Sequence, residues 1–190
     1  MRVKFGCLPS NKRYVYGVKM SDYIKLVQKL DSDLEVVGKL LLENQGNSAL
    51  ENAYVRTFFS TVEGFMYAFR QEVMASKNFE AIFDLAEQAK LKERKFDKIR
   101  QVIKKDKNNL KFKESVKFSC KCLAKSRGVE LKDLGFFGVG WDNFLTANSI
   151  RDQLTHPKRI EDLTLDAKTL ESVVKAKVWF KEQVLQKLLK

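Results

Sequence analysis

The chain has 190 residues, 44% of them hydrophobic and 11% aromatic, so it can bury an ordinary core as one domain without borrowing stability from metals or disulfides. Fourteen Phe against two Pro and nine Gly argue against a many-turned sandwich and for long regular elements, and an all-α fold is expected. The formal net charge of +12 suits attraction to a polyanion, RNA foremost.

Residues 1–20 hold two short runs rich in β-formers, Val3 to Cys7 and Arg13 to Val18, with Pro9-Ser10-Asn11 between them, and predict a small N-terminal hairpin as an appendage. From Ser21, an expected N-cap, Tyr23, Val27, Leu30, Leu34, Val37 and Leu41 recur at helical spacing until Asn44-Gln45-Gly46-Asn47. A second helix opens at Ser48-Ala49-Leu50-Glu51, which has capping-box form. Its stripe of Val55, Phe58, Val62, Phe65, Phe69 and Val73, widened by Phe59, Met66 and Tyr67, marks it as the central helix.

Arg56, Glu63 and Arg70 stand seven residues apart on that helix, nearly on one face. Two readings stay open: a wet edge on which arginines flank a glutamate, or a polar cleft faced by Glu63.

Phe79, Ile82, Phe83, Ala86 and Ala89 form a further helical stripe. Between Lys90 and Lys113 eleven Lys or Arg stand against three acids, so this segment carries +8 of the net charge. With Phe96, Ile99 and Ile103 on one side it reads as a basic amphipathic helix. Lys95, Lys98, Lys104 and Lys105 are its expected RNA contacts; the alternative is a solvated face.

Val116, Cys120, Leu123 and Ala124 mark a short helix stopped by Arg127-Gly128. The glycine cluster Gly135-Phe136-Phe137-Gly138-Val139-Gly140-Trp141 lacks the Gly-Lys-Ser/Thr ending of a phosphate loop and reads as a mobile loop delivering the next helix. That helix is expected from about Asp142 to Thr155 or His156, before Pro157. A last helix, capped by Thr164, carries Leu170, Val173, Val174, Phe180, Val184 and Leu188.

Cys7, Cys120 and Cys122 make no even disulfide framework, and Cys120-x-Cys122 lacks the second pair of a zinc site. No apolar run approaches the roughly 18 residues of a membrane span, and Met1-Arg2-Val3-Lys4 has no signal-peptide core behind it. A reduced, cytoplasmic protein with no metal, no cofactor and no membrane partner is expected.

The single histidine, His156, lies in Ile150-Arg151-Asp152-Gln153-Leu154-Thr155-His156-Pro157. Asn148, Asp152 and His156 are successive i, i+4 neighbours, and Asn148, Arg151 and Thr155 form the adjoining row. Amide, guanidinium, carboxylate, hydroxyl and imidazole therefore converge at one helix end. Arg151 and His156 differ by about 140° around the helix, so a phosphate meets both only by lying across that end. A structural reading exists too, since a last-turn histidine complements the helix dipole and Asp152 is placed to pair with it. Imidazole and guanidinium are also the groups that metal-free RNA cleavage needs, for the 2′-OH proton and the phosphorane charge.

Arg151-Asp152-Gln153-Leu154-Thr155-His156 resembles the Arg-x4-6-His signature of the HEPN (higher eukaryotes and prokaryotes nucleotide-binding) superfamily, with Asp152 as the polar residue that usually follows the arginine. The resemblance covers the helical organisation of residues 21–190 and leaves out the first 20. It implies a helical bundle of about five to seven helices. It also implies a metal-independent endoribonuclease of toxin or phage-defence type, dimeric so that two Arg/His pairs line one cleft, with a cognate antitoxin protein as partner. Carried over, Arg151 and His156 are the catalytic pair, Asp152 the orienting neighbour, and Asn148, Thr155 and Glu63 the supporting polar cleft. The alternative within the family is a non-catalytic module that binds RNA or nucleotide, or mediates assembly.

Overall fold

The computed structural model describes residues 22–189 and is mostly helical. The hairpin expected at 1–20 and the Ser21 cap lie outside the described residues. In chain order the elements are α1 (Asp22–Glu43), α2 (Ser48–Met74), α3 (Phe79–Ile82), α4 (Leu85–Leu91), β1 (Arg94–Asp97), β2 (Val102–Lys107), α5 (Phe112–Arg127), α6 (Val139–Thr155) and α7 (Ala167–Trp179). The last helix continues through a wider π-type stretch, Phe180–Leu185, and a final turn, Gln186–Leu188. The all-α bundle expected from composition is what forms.

The long helix α2 is the axis of the bundle. Tyr54, Val55, Phe58, Phe59, Val62, Phe65, Met66, Phe69 and Val73 are all buried, and α1, α5, α6 and α7 pack around it. Phe58 makes edge contacts with Phe59, Phe144 and Phe180, so rings from three helices meet at its centre. Tyr67, counted in the apolar stripe from sequence, is instead half-exposed. The cap of α2 also differs from the expected one. Asn47 accepts from the amides of Ala49 (3.1 Å) and Leu50 (3.2 Å), one residue before Ser48. Its short amide side chain reaches two orphan amides at once. A true capping box forms at α4, where Asp84 accepts from the Glu87 amide at 2.8 Å and Glu87 reaches back.

The basic segment is not a helix. It folds as an antiparallel hairpin in which Phe96 faces Ile103 and Asp97 faces Val102. Phe96, Ile99 and Ile103 satisfied a helical spacing on paper, yet Ile99 lies at the hairpin tip and is 94% exposed. The physical reason lies in the period. Phe96 and Ile103 share one strand face, half-buried, and Asp97 closes the tip by accepting from the amides of Ile99 (3.0 Å) and Arg100 (3.1 Å). A helix would have stacked like charges at i, i+4 with few acids to relieve them.

The glycine cluster is a tight joint. Gly135 ends a 3-10 turn (Leu131–Leu134) at φ +66°, a left-handed conformation that favours glycine. Gly140 lies within the first turn of α6, where a Cβ would stand 2.8 Å from the Trp179 Cβ and overlap its ring. The close approach of α6 to α7 thus requires glycine at position 140. It also starts α6 at Val139 with Gly138 as N-cap, three residues before the expected Asp142. At α7 the cap is Asp166, accepting from the Thr169 amide at 2.6 Å, and not Thr164.

Candidate functional site

Helix α6 buries Trp141, Phe144, Ala147, Ile150 and Leu154 against the core. That stripe leaves Asn148, Arg151, Asp152 and Thr155 on the flank facing α2 and solvent. Arg151 is the organising residue. Its guanidinium lies over the Phe112 ring at 4.4 Å and the Phe59 ring at 5.4 Å, and its side chain is only 19% exposed. Nη2 donates to Asn148 Oδ1 (3.1 Å), Nη1 reaches Glu63 Oε1 on α2 (3.5 Å), and Nε lies 3.2 Å from Asp152 Oδ1. The last is an ion pair without hydrogen-bond alignment, and Nε has no hydrogen-bond partner among the described residues.

A cavity of about 380 Å³ opens beside this cluster, lined by Arg56, Phe59, Ser60, Glu63, Arg151, Leu154 and Thr155. Arg56 donates from Nη2 to the Leu154 carbonyl at 2.8 Å, satisfying one of the orphan carbonyls that end α6 and tying that end to α2. Thr155 donates its hydroxyl proton back to the Arg151 carbonyl at 2.7 Å, so that proton is already engaged.

Of the residues singled out from sequence, the structure brings Arg151, Asp152, Asn148 and Glu63 into one network and places Thr155 on the cavity wall. His156 stands apart. It is the C-cap of α6, its amide bonded to the Asp152 carbonyl at 3.0 Å, and its imidazole is exposed and outside the cavity lining. The pairing of Asp152 with His156 that spacing allowed does not form; Asp152 turns to Arg151 and Asn148. Sequence reasoning did not reach Phe112, Phe59 and Ser60, which come from other elements, and saw Arg56 only as a wet edge.

The basic residues lie on the hairpin. Lys95, Lys98 and Lys105 are exposed, while Lys104 pairs with Asp97 at 3.1 Å. Asp97 is held below the usual carboxylate range, chiefly by the Arg100 amide and then by Lys104. The chain leaving β2 at Lys107 reaches Phe112 five residues later, so the hairpin's exit leads to the ring on which Arg151 stacks. Cys120 and Cys122 sit inside the bundle. Burial pushes the Cys120 thiol up, and pushes Cys122 up to about 12 with the Glu87 charge adding, so both are neutral packing groups. Among the described residues no group of three or more His, Cys, Asp or Glu is placed to hold a metal ion, and no helix is long and apolar enough to cross a membrane.

No protein-family model matches the chain, and no curated protein or solved structure matches it either.

Proposed function

We propose that the chain is a metal-independent endoribonuclease of HEPN type, working as a homodimer in a toxin or phage-defence setting with a cognate antitoxin protein. The observation that carries this reading is Arg151: a guanidinium stacked on Phe112, aimed by Asn148, Glu63 and Asp152, and fronting an open polar cavity next to the turn that bears the only histidine. Such a fork, oriented before substrate arrives, suits a phosphodiester whose charge grows in the transition state. The 2′-oxygen attacks the adjacent phosphorus as His156 takes its proton, and the bond to the 5′-oxygen breaks. The products are a 2′,3′-cyclic phosphate and a 5′-hydroxyl. The departing oxygen needs a proton from a second acid, and pairing two copies across a two-fold axis supplies one.

One observation favours a second reading, a non-catalytic HEPN module that binds RNA or nucleotide or mediates assembly. The imidazole of His156 does not line the cavity, and Arg151 is already ion-paired with two carboxylates, Glu63 and Asp152. Incubating the purified protein with mixed RNA in EDTA, beside His156→Ala and Arg151→Ala, separates the two. The ribonuclease reading expects cyclic-phosphate ends from the wild type and none from either variant. Cleavage that persists in His156→Ala, strict dependence on magnesium, or equal cutting of DNA rejects it. Binding without cleavage, from a protein that light scattering shows to be monomeric at micromolar concentration, selects the second reading.

A further inference from the structure

A second, smaller cavity of about 230 Å³ lies at the root of the hairpin, and the ribonuclease mechanism does not use it. Arg70, Lys90, Glu93, Asn108, Asn109, Leu110 and Ser115 line it. Arg70 is held in place from behind: Nη1 donates to Ser115 Oγ (3.0 Å) and Ser119 Oγ (3.3 Å), and the side chain is only 13% exposed. Its Nη2 faces Glu93 Oε1 at 3.1 Å, and that carboxylate is 63% exposed. Lys90 brings a second cation, resting over the Phe118 ring at 5.7 Å. Two cations, two side-chain amides and a hydroxyl around a space this size are donors for an oxyanion with several waters, each of which takes about 30 Å³.

Glu93 occupies the place such an anion would take. Its backbone adopts φ +53°, uncommon for a residue with a side chain, and is clamped by Glu93 N–H to the Lys90 carbonyl (3.0 Å) and Asn108 N–H to the Glu93 carbonyl (3.0 Å). The carboxylate is thus a local, exposed and replaceable partner for a guanidinium that is itself fixed.

The position of this cavity gives it meaning. Glu63, on the first cavity, and Arg70, on the second, are seven residues apart on α2, which is two turns or about 10.5 Å along one helix face. That span corresponds to a few nucleotides of single strand. We propose that the Arg70 cavity is a phosphate subsite that grips the backbone of a single-stranded nucleic acid beside the Arg151 cleft, with Glu93 as the internal anion that the phosphate displaces. The strand's identity rests on the ribonuclease reading; the anion site does not.

The test uses the full chain and a labelled single-stranded oligodeoxynucleotide, which has no 2′-hydroxyl and reports binding without cleavage. Fluorescence anisotropy is compared for wild type, Lys90→Gln, Glu93→Gln and Asp106→Asn, the last an exposed hairpin acid whose loss changes net charge equally. Glu93→Gln is expected to tighten binding about threefold or more beyond Asp106→Asn, and Lys90→Gln to weaken it by a similar factor. Inorganic phosphate added to isotope-labelled protein should shift the side-chain amide signals of Asn108 and Asn109 ahead of Asn143, which lies on α6 outside both cavities. Equal gains in Glu93→Gln and Asp106→Asn, weaker binding in Glu93→Gln, or no amide shift with phosphate overturns the proposal. A chain that meets these expectations and leaves RNA intact keeps the subsite and loses the ribonuclease. One that cuts RNA but fails them keeps the ribonuclease and loses the subsite.

Discussion

At the scale of single residues, Arg151 is asked to do what no other cation can. Its planar fork meets Asn148, Glu63 and Asp152 in three directions while its face rests on Phe112. Lysine keeps the charge and loses both the fork and the stack. Arg151→Lys is therefore expected to lower cleavage by about 10²-fold or more, the range for loss of one preorganised donor, while RNA binding changes little. Asp152→Asn should cost less than about tenfold, because an amide still orients the guanidinium and no reacting group is removed. Single-turnover cleavage of one defined RNA measures both, and a lysine variant as fast as wild type removes Arg151 from the chemistry. The grouping of Asn148, Arg151, Asp152 and Thr155 was legible because i, i+3 and i+4 spacing on a helix fixes neighbours before any packing is known. Phe112 and Arg56 were not, since their contacts with α6 join residues that only the tertiary fold brings together.

At the scale of elements, hydrophobic period decided what could be read. The stripes of α1, α2, α5 and α7 run long enough for one period to dominate, and Leu34, Val62, Cys120 and Val173 are buried where the pattern puts them. The segment 94–107 is too short for that. One apolar residue on β1, Phe96, and two adjacent ones on β2, Val102 and Ile103, are too few to establish a period, and the Asp97 turn tipped the balance. The charge survives the change of fold: Lys95, Lys98 and Lys105 now project from a ribbon instead of a helix. Reversing the charge of Lys95, Lys98, Lys104 and Lys105 together should weaken RNA binding and flatten its dependence on salt, because fewer counterions are released. An unchanged slope in a salt titration would make the ribbon a solvated edge. The α6–α7 joint makes a separate claim on stability. Gly140→Ala pushes a methyl into Trp179 and should cost about 1–3 kcal/mol, the usual range for overpacking a filled core. Urea unfolding checks it, and a neutral result would mean that α6 can slide away from Trp179.

At the scale of the molecule, the first and last described helices are fastened by charge. Lys177, 4% exposed, lies 3.2 Å from Glu35 Oε1, and Lys181 lies 2.7 Å from Asp31 Oδ1 while also bonding Glu35. Burial alone would raise the Glu35 carboxyl, but the hydrogen bond from Lys181 and the charges of Lys177 and Lys181 outweigh it and hold the group below its usual value. Burial lowers Lys177, whereas Asp31 and Glu35 together outweigh burial at Lys181 and raise it. The signs follow from linkage. A carboxyl depressed in the folded state stabilises above its unfolded value, about 4.3, and that contribution disappears as pH falls through the folded value. An ammonium raised in the folded state stabilises below about 10.4, and loses its contribution as pH rises through the folded value. In this clasp the contributions of Glu35 and Lys181 are therefore both present across the neutral range and lapse at its two ends, whereas Lys177, lowered by burial, works against them until pH rises through its folded value. Glu35→Gln leaves Lys177 buried with a weaker partner. Since Glu35 is itself about half exposed, the expected cost near neutrality is about 1–2 kcal/mol, or roughly 2–8 °C in Tm. As pH falls through the depressed folded value of Glu35, the wild-type carboxyl becomes neutral like the amide that replaces it, so the two melting curves should converge. A gap in Tm that stays constant from neutral to acid pH would show that the variant's cost comes from packing and that Glu35 carries no charge-dependent share of the clasp.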